Sequence, residues 1–189
     1  MPVMVTADPP DSQPGRTTSL RDTLRSPLPR RPASRGPAVP VPVLRRATAR
    51  DVPSVVALLA DDPLGATRET PDDLAPYLTA FAELDTDPRH LLLVADDDGT
   101  VVGTLQLSLL PGLARRGALR ARIEAVRVAA GRRGDGLGAI MVRYAVDEAR
   151  RRGAALVQLT SDRSRTDAHR FYERLGFLRT HDGFSLPLT

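Results

Sequence analysis

Arg132-Arg133-Gly134-Asp135-Gly136-Leu137-Gly138-Ala139 is the stretch on which the reading of this chain turns. Glycines at 134, 136 and 138 remove side chains from a turn. Successive backbone N–H groups can then converge on one anion, aided by the positive end of a following helix. The ligand that such a turn suits carries a pyrophosphate. Before it, Ile123, Ala125, Val126 and Val128, broken by Glu124 and Arg127, read as a mostly buried strand. After it, Leu137, Ile140, Met141, Tyr144 and Ala145 recur at helical spacing through about Arg151, and Gly153 stops the helix where a C-terminal cap belongs. Ala155 to Thr160 reads as another strand. The helix is long enough to cross over, which leaves the two strands parallel.

Several kinds of protein make such a loop. Gly134-x-Gly136-x-x-Ala139 satisfies the dinucleotide fingerprint in form, but that fold needs an acidic residue roughly 20 positions on and several more parallel strands. Asp162 lies further along than that, and the chain is too short beyond it for such a sheet. A P-loop needs a Lys after the glycines, and the chain contains no Lys. A glycine-rich turn without a ligand stays open as the plain alternative.

Two blocks together resemble the GNAT superfamily of acyl-CoA-dependent N-acetyltransferases. Arg133, Gly136 and Gly138 fit its loop pattern of Arg or Gln, x, x, Gly, x, Gly or Ala. Asp167-Ala168-His169-Arg170-Phe171-Tyr172-Glu173-Arg174-Leu175-Gly176-Phe177 is similar to its Ala-x-x-Phe-Tyr-x-x-x-Gly-Phe segment. The similarity spans about Val41 to Thr189, and the Asp-Ala-His-Arg-Phe-Tyr string, with the ending around His181, also resembles aminoalkylphosphonate N-acetyltransferases. Two positions depart from the pattern. Asp135 stands where a basic or neutral residue is usual, and Arg165 stands where an Asn commonly bonds the cofactor.

The resemblance implies an α/β fold: a mixed, mostly antiparallel twisted sheet whose central parallel pair splays around acyl-CoA, with helices on both faces. It implies acetyl-CoA as co-substrate, no metal, and direct attack by a small-molecule primary amine in a ternary complex. It places backbone groups of Val126, Val128, Arg133, Gly134, Asp135, Gly136, Leu137, Gly138 and Ala139 on the cofactor. Glu124 is then the general base, acting through water, and Tyr172 the general acid at the departing thiolate. On a regular strand Glu124 shares a face with Val126 and Val128, an apolar setting that would raise its pKa. The plain alternatives are a carboxylate paired with Arg122 or Arg127, and a core tyrosine on a helix capped around Ser164-Arg165-Thr166-Asp167. The competing reading for the whole chain is an acyl-CoA-binding sensor or interaction module without catalysis.

Composition narrows the field further. In 189 residues there is no Cys, which excludes disulfides, a thiol nucleophile and thiolate metal sites. Three His residues without paired spacing (His90, His169, His181) argue against structural zinc. No apolar run approaches the roughly 18 residues of a membrane span and no signal-peptide core is present, so a cytoplasmic protein is expected. The net charge of +4 is spread along the chain among acids, with no aromatic ladder for bases, so no nucleic-acid partner is expected. A homodimer stays open as the commonest soluble assembly.

Residues 1–40 hold nine of the 17 prolines and read as a disordered Pro/Arg-rich tail before an acetyltransferase-like domain over 41–189. Within that domain Val41 to Leu44 reads as a strand and Thr48-Ala49-Arg50-Asp51 as a capping box for a helix burying Val52, Val55, Val56 and Leu59. Leu74, Leu78 and Phe81 mark the buried side of a second helix. His90 to Ala95 and Val101 to Leu109 flank Asp96-Asp97-Asp98-Gly99 as a hairpin. Pro111 to Arg122 reads as a basic loop.

Overall fold

A computed structural model describes residues 42–62 and 65–188; the tail read over residues 1–40 lies outside the described residues, as does Val41. Five strands, β1 (Val43–Arg46), β2 (His90–Asp97), β3 (Thr100–Leu110), β4 (Arg120–Val128) and β5 (Leu156–Leu159), form one sheet in sequence order. Every neighbouring pair is antiparallel except β4 and β5, which are parallel. The first strand begins two positions later than the apolar pattern suggests, and β4 begins at Arg120, inside the stretch read as loop. Asp98 (φ 49°) and Gly99 (φ 86°) turn β2 into β3 with two left-handed residues, the conformation that matches strand twist in a tight hairpin.

Helices cover both faces. Alternation along the strands sends Leu91, Leu93, Leu105, Leu107 and Ile123 to one face, where α3 (Leu137–Arg151) buries Leu137, Met141, Val142, Ala145 and Ala149 against them. That contact is close, since a Cβ at Gly103 would lie 2.8 Å from the Met141 sulfur. Phe171, Tyr172 and Leu175 of α4 (Thr166–Arg174) and the turn after it join the same core half-buried.

The other face takes α1 (Val52–Ala60) and α2 (Ala75–Thr86) over Val94, Leu92 and Val101. The Thr48–Asp51 capping box is present: Asp51 accepts from the Thr48 amide at 2.7 Å and hydroxyl at 2.9 Å. The first turn is 3₁₀, so α1 proper starts at Val52. In α2 Phe81 is buried with Leu74 and Tyr77 packed beside it, but Leu78 is 42% exposed. The buried stripe of α2 is therefore narrower than its apolar spacing indicates.

The site depends on what β4 does halfway along. It pairs with β5 only from Arg120 to Ile123 (partners Leu156 to Leu159), and continues to Val128 without a β5 partner. At the same place the register with β3 slips. Gln106 faces Glu124 and Thr104 faces Arg127, so Ala125 and Val126 oppose Leu105 alone. Ala125 adopts φ 54°, the left-handed first residue of a β-bulge.

Candidate active site

The bulge resets which side chains share a face. Ala121 and Ile123 pack into the core under α3, and so do Val126 and Val128, three residues on from Ile123 rather than two. Glu124 therefore lies on the face opposite Val126 and Val128, contrary to the regular-strand expectation. Its carboxylate is 41% exposed and meets the Arg122 guanidinium at 3.1 Å; of the two arginines weighed from the sequence, it pairs with the nearer.

Past Ile123 β4 runs on without β5 to Val128, and the chain then enters the glycine turn. Gly134 (φ 92°) and Gly136 (φ 84°) are left-handed, and a Cβ on either would meet nothing within 4 Å. Gly136 is the N-cap of α3. The Arg133 amide donates to the Ala130 carbonyl at 3.3 Å and the Ala139 amide to the Gly136 carbonyl at 3.0 Å. Between them the amides of Gly134, Asp135, Gly136, Leu137 and Gly138 donate to no oxygen among the described residues. Five unengaged donors in sequence at the positive end of a 15-residue helix are an arrangement that can receive an anion. Gly138 serves packing as well, since a Cβ there would touch the Phe171 ring at 3.4 Å and Val128 at 3.7 Å.

Charge around the cradle is neutralised in pairs. Arg132 bonds Asp97 of the hairpin and reaches Asp135 at 3.2 Å, which turns the carboxylate of the unusual loop position onto a cation. Arg133 donates to the Val128 carbonyl at 3.0 Å and to the Asp61 carboxylate at 2.7 Å. Asp62, the next residue, meets Arg127 Nε at 3.0 Å and lies 4.0 Å from Arg165. Two successive acids after α1 thus hold arginines of β4, the loop and the start of α4. The sequence reading missed both acids. Asp61 and Arg133 lie 72 residues apart, and the sole signal is a doubled acid where α1 stops.

Tyr172 sits on α4 between two rings, Phe171 at 5.0 Å and Phe177 at 5.9 Å between centroids, both edge-on. Burial pushes its phenol above the ordinary value, and the positive charges of Arg165 and Arg127 oppose that shift. Its ring is part of the core and its polar end lies within the field of those arginines. Ser164 bonds back to Asp162 through amide and hydroxyl (2.9 and 2.7 Å), leaving Arg165 as an N-cap without a side-chain cap. Of the remaining expected contacts, the Val126 carbonyl accepts from Arg127 at 3.0 Å. Among the described residues no group of three His, Asp or Glu gathers as a metal set, and no helix is long and apolar enough to cross a membrane.

The profile of the Acetyltransferase (GNAT) family matches residues 53–177. An aminoalkylphosphonate N-acetyltransferase of Salmonella typhimurium is 32% identical over 150 residues, which is 79% of this chain and 94% of that protein. A transcriptional regulator from Bacillus halodurans C-125 is similar in structure with a TM-score of 0.76 at 40% identity, over 78% of this chain and 99% of the other. A protein of Clostridium acetobutylicum solved with acetyl-CoA shares the fold at a TM-score of 0.63 and 19% identity, over 77% of this chain and 96% of the other.

Proposed function

This chain belongs to the GNAT acetyltransferase family and is an acyl-CoA-dependent N-acetyltransferase; from that premise we propose that it transfers the acetyl group of acetyl-CoA to the primary amine of a small molecule by direct attack in a ternary complex. The observation that carries this reading is the run of five unengaged amides from Gly134 to Gly138, which follows the stretch of β4 that has no β5 partner. They suit the diphosphate of CoA, which would leave its pantetheine arm to run along the unpaired part of β4.

The thioester supplies an activated acetyl carbon, and the chain supplies protons and orientation. Backbone N–H groups between Val126 and Val128 would polarise the carbonyl oxygen. Glu124 takes a proton from the incoming ammonium through water, freeing the nitrogen lone pair. As the C–N bond forms and the C–S bond breaks, the Tyr172 hydroxyl gives its proton to the departing sulfur. The phenol is in its acid form at neutral pH, with its ordinary value raised by burial and that rise opposed by Arg165 and Arg127.

For the acceptor, the named class of the 32%-identical relative is the first to test. Arg165 supports it. Its side chain is 39% exposed and 4.0 Å from Asp62, free enough to turn a guanidinium onto an acidic group of the amine. The test is thiol release from acetyl-CoA against 2-aminoethylphosphonate, polyamines, amino sugars and aminoglycosides. Release with one class identifies the acceptor. CoA binding by calorimetry with no release for any amine would instead favour the second reading, an acyl-CoA-binding sensor or interaction module. A cytoplasmic location follows as the working expectation.

A further inference from the structure

Three arginines from separate elements gather where β4, the end of α1 and the start of α4 meet, and they outnumber the acids among them. Arg127 of β4 turns to the α1 side, with its Nε 3.0 Å from Asp62 Oδ2. Arg165, at the start of α4, lies 4.0 Å from the same oxygen. Asp162 is held below the ordinary carboxylate value first by hydrogen bonds from Ser164, and then by the charges of Arg165 and of Arg68, just after the 3₁₀ turn Gly65–Thr67. Three positive charges thus face Asp62 and Asp162, a surplus of one.

Pinning α1 to the sheet needs only one of these arginines. Asp62 does that with Arg127, while its Oδ1 accepts from the Gly65 amide at 2.8 Å. A second guanidinium at the same oxygen brings two like charges within about 7 Å of each other, inside a Debye length, and works against the fold. Arg165 is not held there by bonding, because its guanidinium donates no hydrogen bond among the described residues. Arg127 spends one N–H on the Val126 carbonyl, and its buried Nε meets Asp62 without hydrogen-bond alignment. Like charges assembled at a cost, with donors to spare, fit an anion that arrives from outside.

The place of the cluster says which molecule brings that anion. Arg127 stands between Val126 and Val128 on β4, and the charges of Arg165 and Arg127 both reach the Tyr172 hydroxyl. An anion held there lies beside the reacting thioester, whereas the diphosphate has five amides of its own from Gly134 to Gly138. On the acetyltransferase reading, on which this inference rests, we propose that Arg127 and Arg165, with Arg68 at the rim, form an oxyanion subsite that selects amines carrying a phosphonate or a carboxylate. Asp62 is the fixed counter-charge that sets its strength. Neutral amines gain nothing from such a subsite, and polycations such as polyamines and aminoglycosides are repelled by it.

Calorimetry on the CoA-loaded chain tests the subsite apart from turnover. 2-Aminoethylphosphonate and 3-aminopropanoate differ only in the oxyanion, and propylamine carries none. At least one of the two acids should bind, the tighter naming the oxyanion, with propylamine at least about tenfold weaker. Arg165→Gln should raise the Kd of that acid by about 10- to 100-fold and leave CoA affinity alone. Arg170→Gln, on the same helix but paired with Asp167, should change neither. Asp62→Asn keeps an oxygen for the Gly65 amide and removes only the charge, so it should tighten acid binding by about threefold or more. The subsite is overturned if neither acid binds, if propylamine binds as tightly, if acid binding ignores Arg165→Gln, or if it weakens in Asp62→Asn. A loss of CoA affinity in Arg165→Gln would move that arginine to the cofactor and overturn it too. None of these results touches the acetyltransferase reading, which fails separately if no amine releases thiol from acetyl-CoA.

Discussion

Replacing Gly136 by Ala separates the cost of a strained backbone from the loss of an anion site. Gly136 holds φ 84°, and its missing Cβ would meet nothing within 4 Å, so an added methyl costs only the left-handed conformation, about 1 kcal/mol. For a domain of this size that lowers Tm by about 2–4 °C. Gly153 is the matched control. It holds φ 81° with nothing within 4 Å of its Cβ, at the far end of α3, roughly 22 Å away at 1.5 Å per residue. Both variants should melt alike. Their CoA affinities should not match, because the Gly136 methyl projects into the space of the cradle. A charged hydrogen bond is worth about 1.5–3 kcal/mol, so losing one amide contact raises Kd by roughly 10- to 100-fold. Thermal scans give the first quantity and titration calorimetry with CoA the second. Equal CoA affinity in the two variants would refute the cradle, whatever their stabilities.

Tyr172→Phe keeps the packed ring and should lower kcat by roughly one to four orders of magnitude with little change in Tm; unchanged thiol release would remove the hydroxyl from the reaction. Because burial raises this phenol, the wild-type enzyme should keep its acid form until above about pH 10, and a falling limb near pH 8 would not belong to Tyr172. Glu124→Gln should cut turnover by about 100-fold while leaving CoA affinity unchanged by calorimetry, and full turnover would leave Glu124 as the partner of Arg122 only. Asp51 is held well below the ordinary carboxylate range, chiefly by Arg45. Its contribution is therefore present above about pH 4 and lost as pH falls through the folded-state value. Asp51→Ala should cost about 1–2 kcal/mol in urea unfolding at pH 7, with the gap to wild type narrowing at pH 3. Ala125→Gly should raise Tm slightly by relieving the left-handed alanine and Ala125→Val should lower it; the reverse order would contradict the bulge.

The parts of this fold that could be read from sequence are those where one local cause dominates. Helix α3 follows from its repeating apolar positions and Gly153, and the hairpin from Asp98-Gly99, because the residues concerned are neighbours in the chain. Local competition explains two misreadings. Ser164 has a nearer partner in Asp162 than the amides of α4, and Leu78 is apolar on a helix whose packed stripe is only wide enough for Leu74, Tyr77 and Phe81. The arginine pairs of Asp61 and Asp62 were not legible, since contacts across 72 and 65 positions exist only once α1 has been laid against the sheet.

The bulge is an intermediate case, because its trace lies in the spacing of four side chains. Ala121 and Ile123 are two apart, Val126 and Val128 are two apart, but Ile123 and Val126 are separated by three. In an unbroken strand one of these pairs must leave the core. Arg127 would then point inward next to Ile123, and an unpaired guanidinium under α3 would cost several kcal/mol. One extra residue removes the conflict: both pairs face α3, and Arg127 turns to Asp62 on the side of α1. The left-handed strain at Ala125 is small beside that cost, which is why an alanine can hold it. The same extra residue ends the run of regular pairing at the point where β5 departs. The phase slip that keeps the core apolar thus coincides with the point from which β4, still paired with β3, has no neighbour on its β5 side.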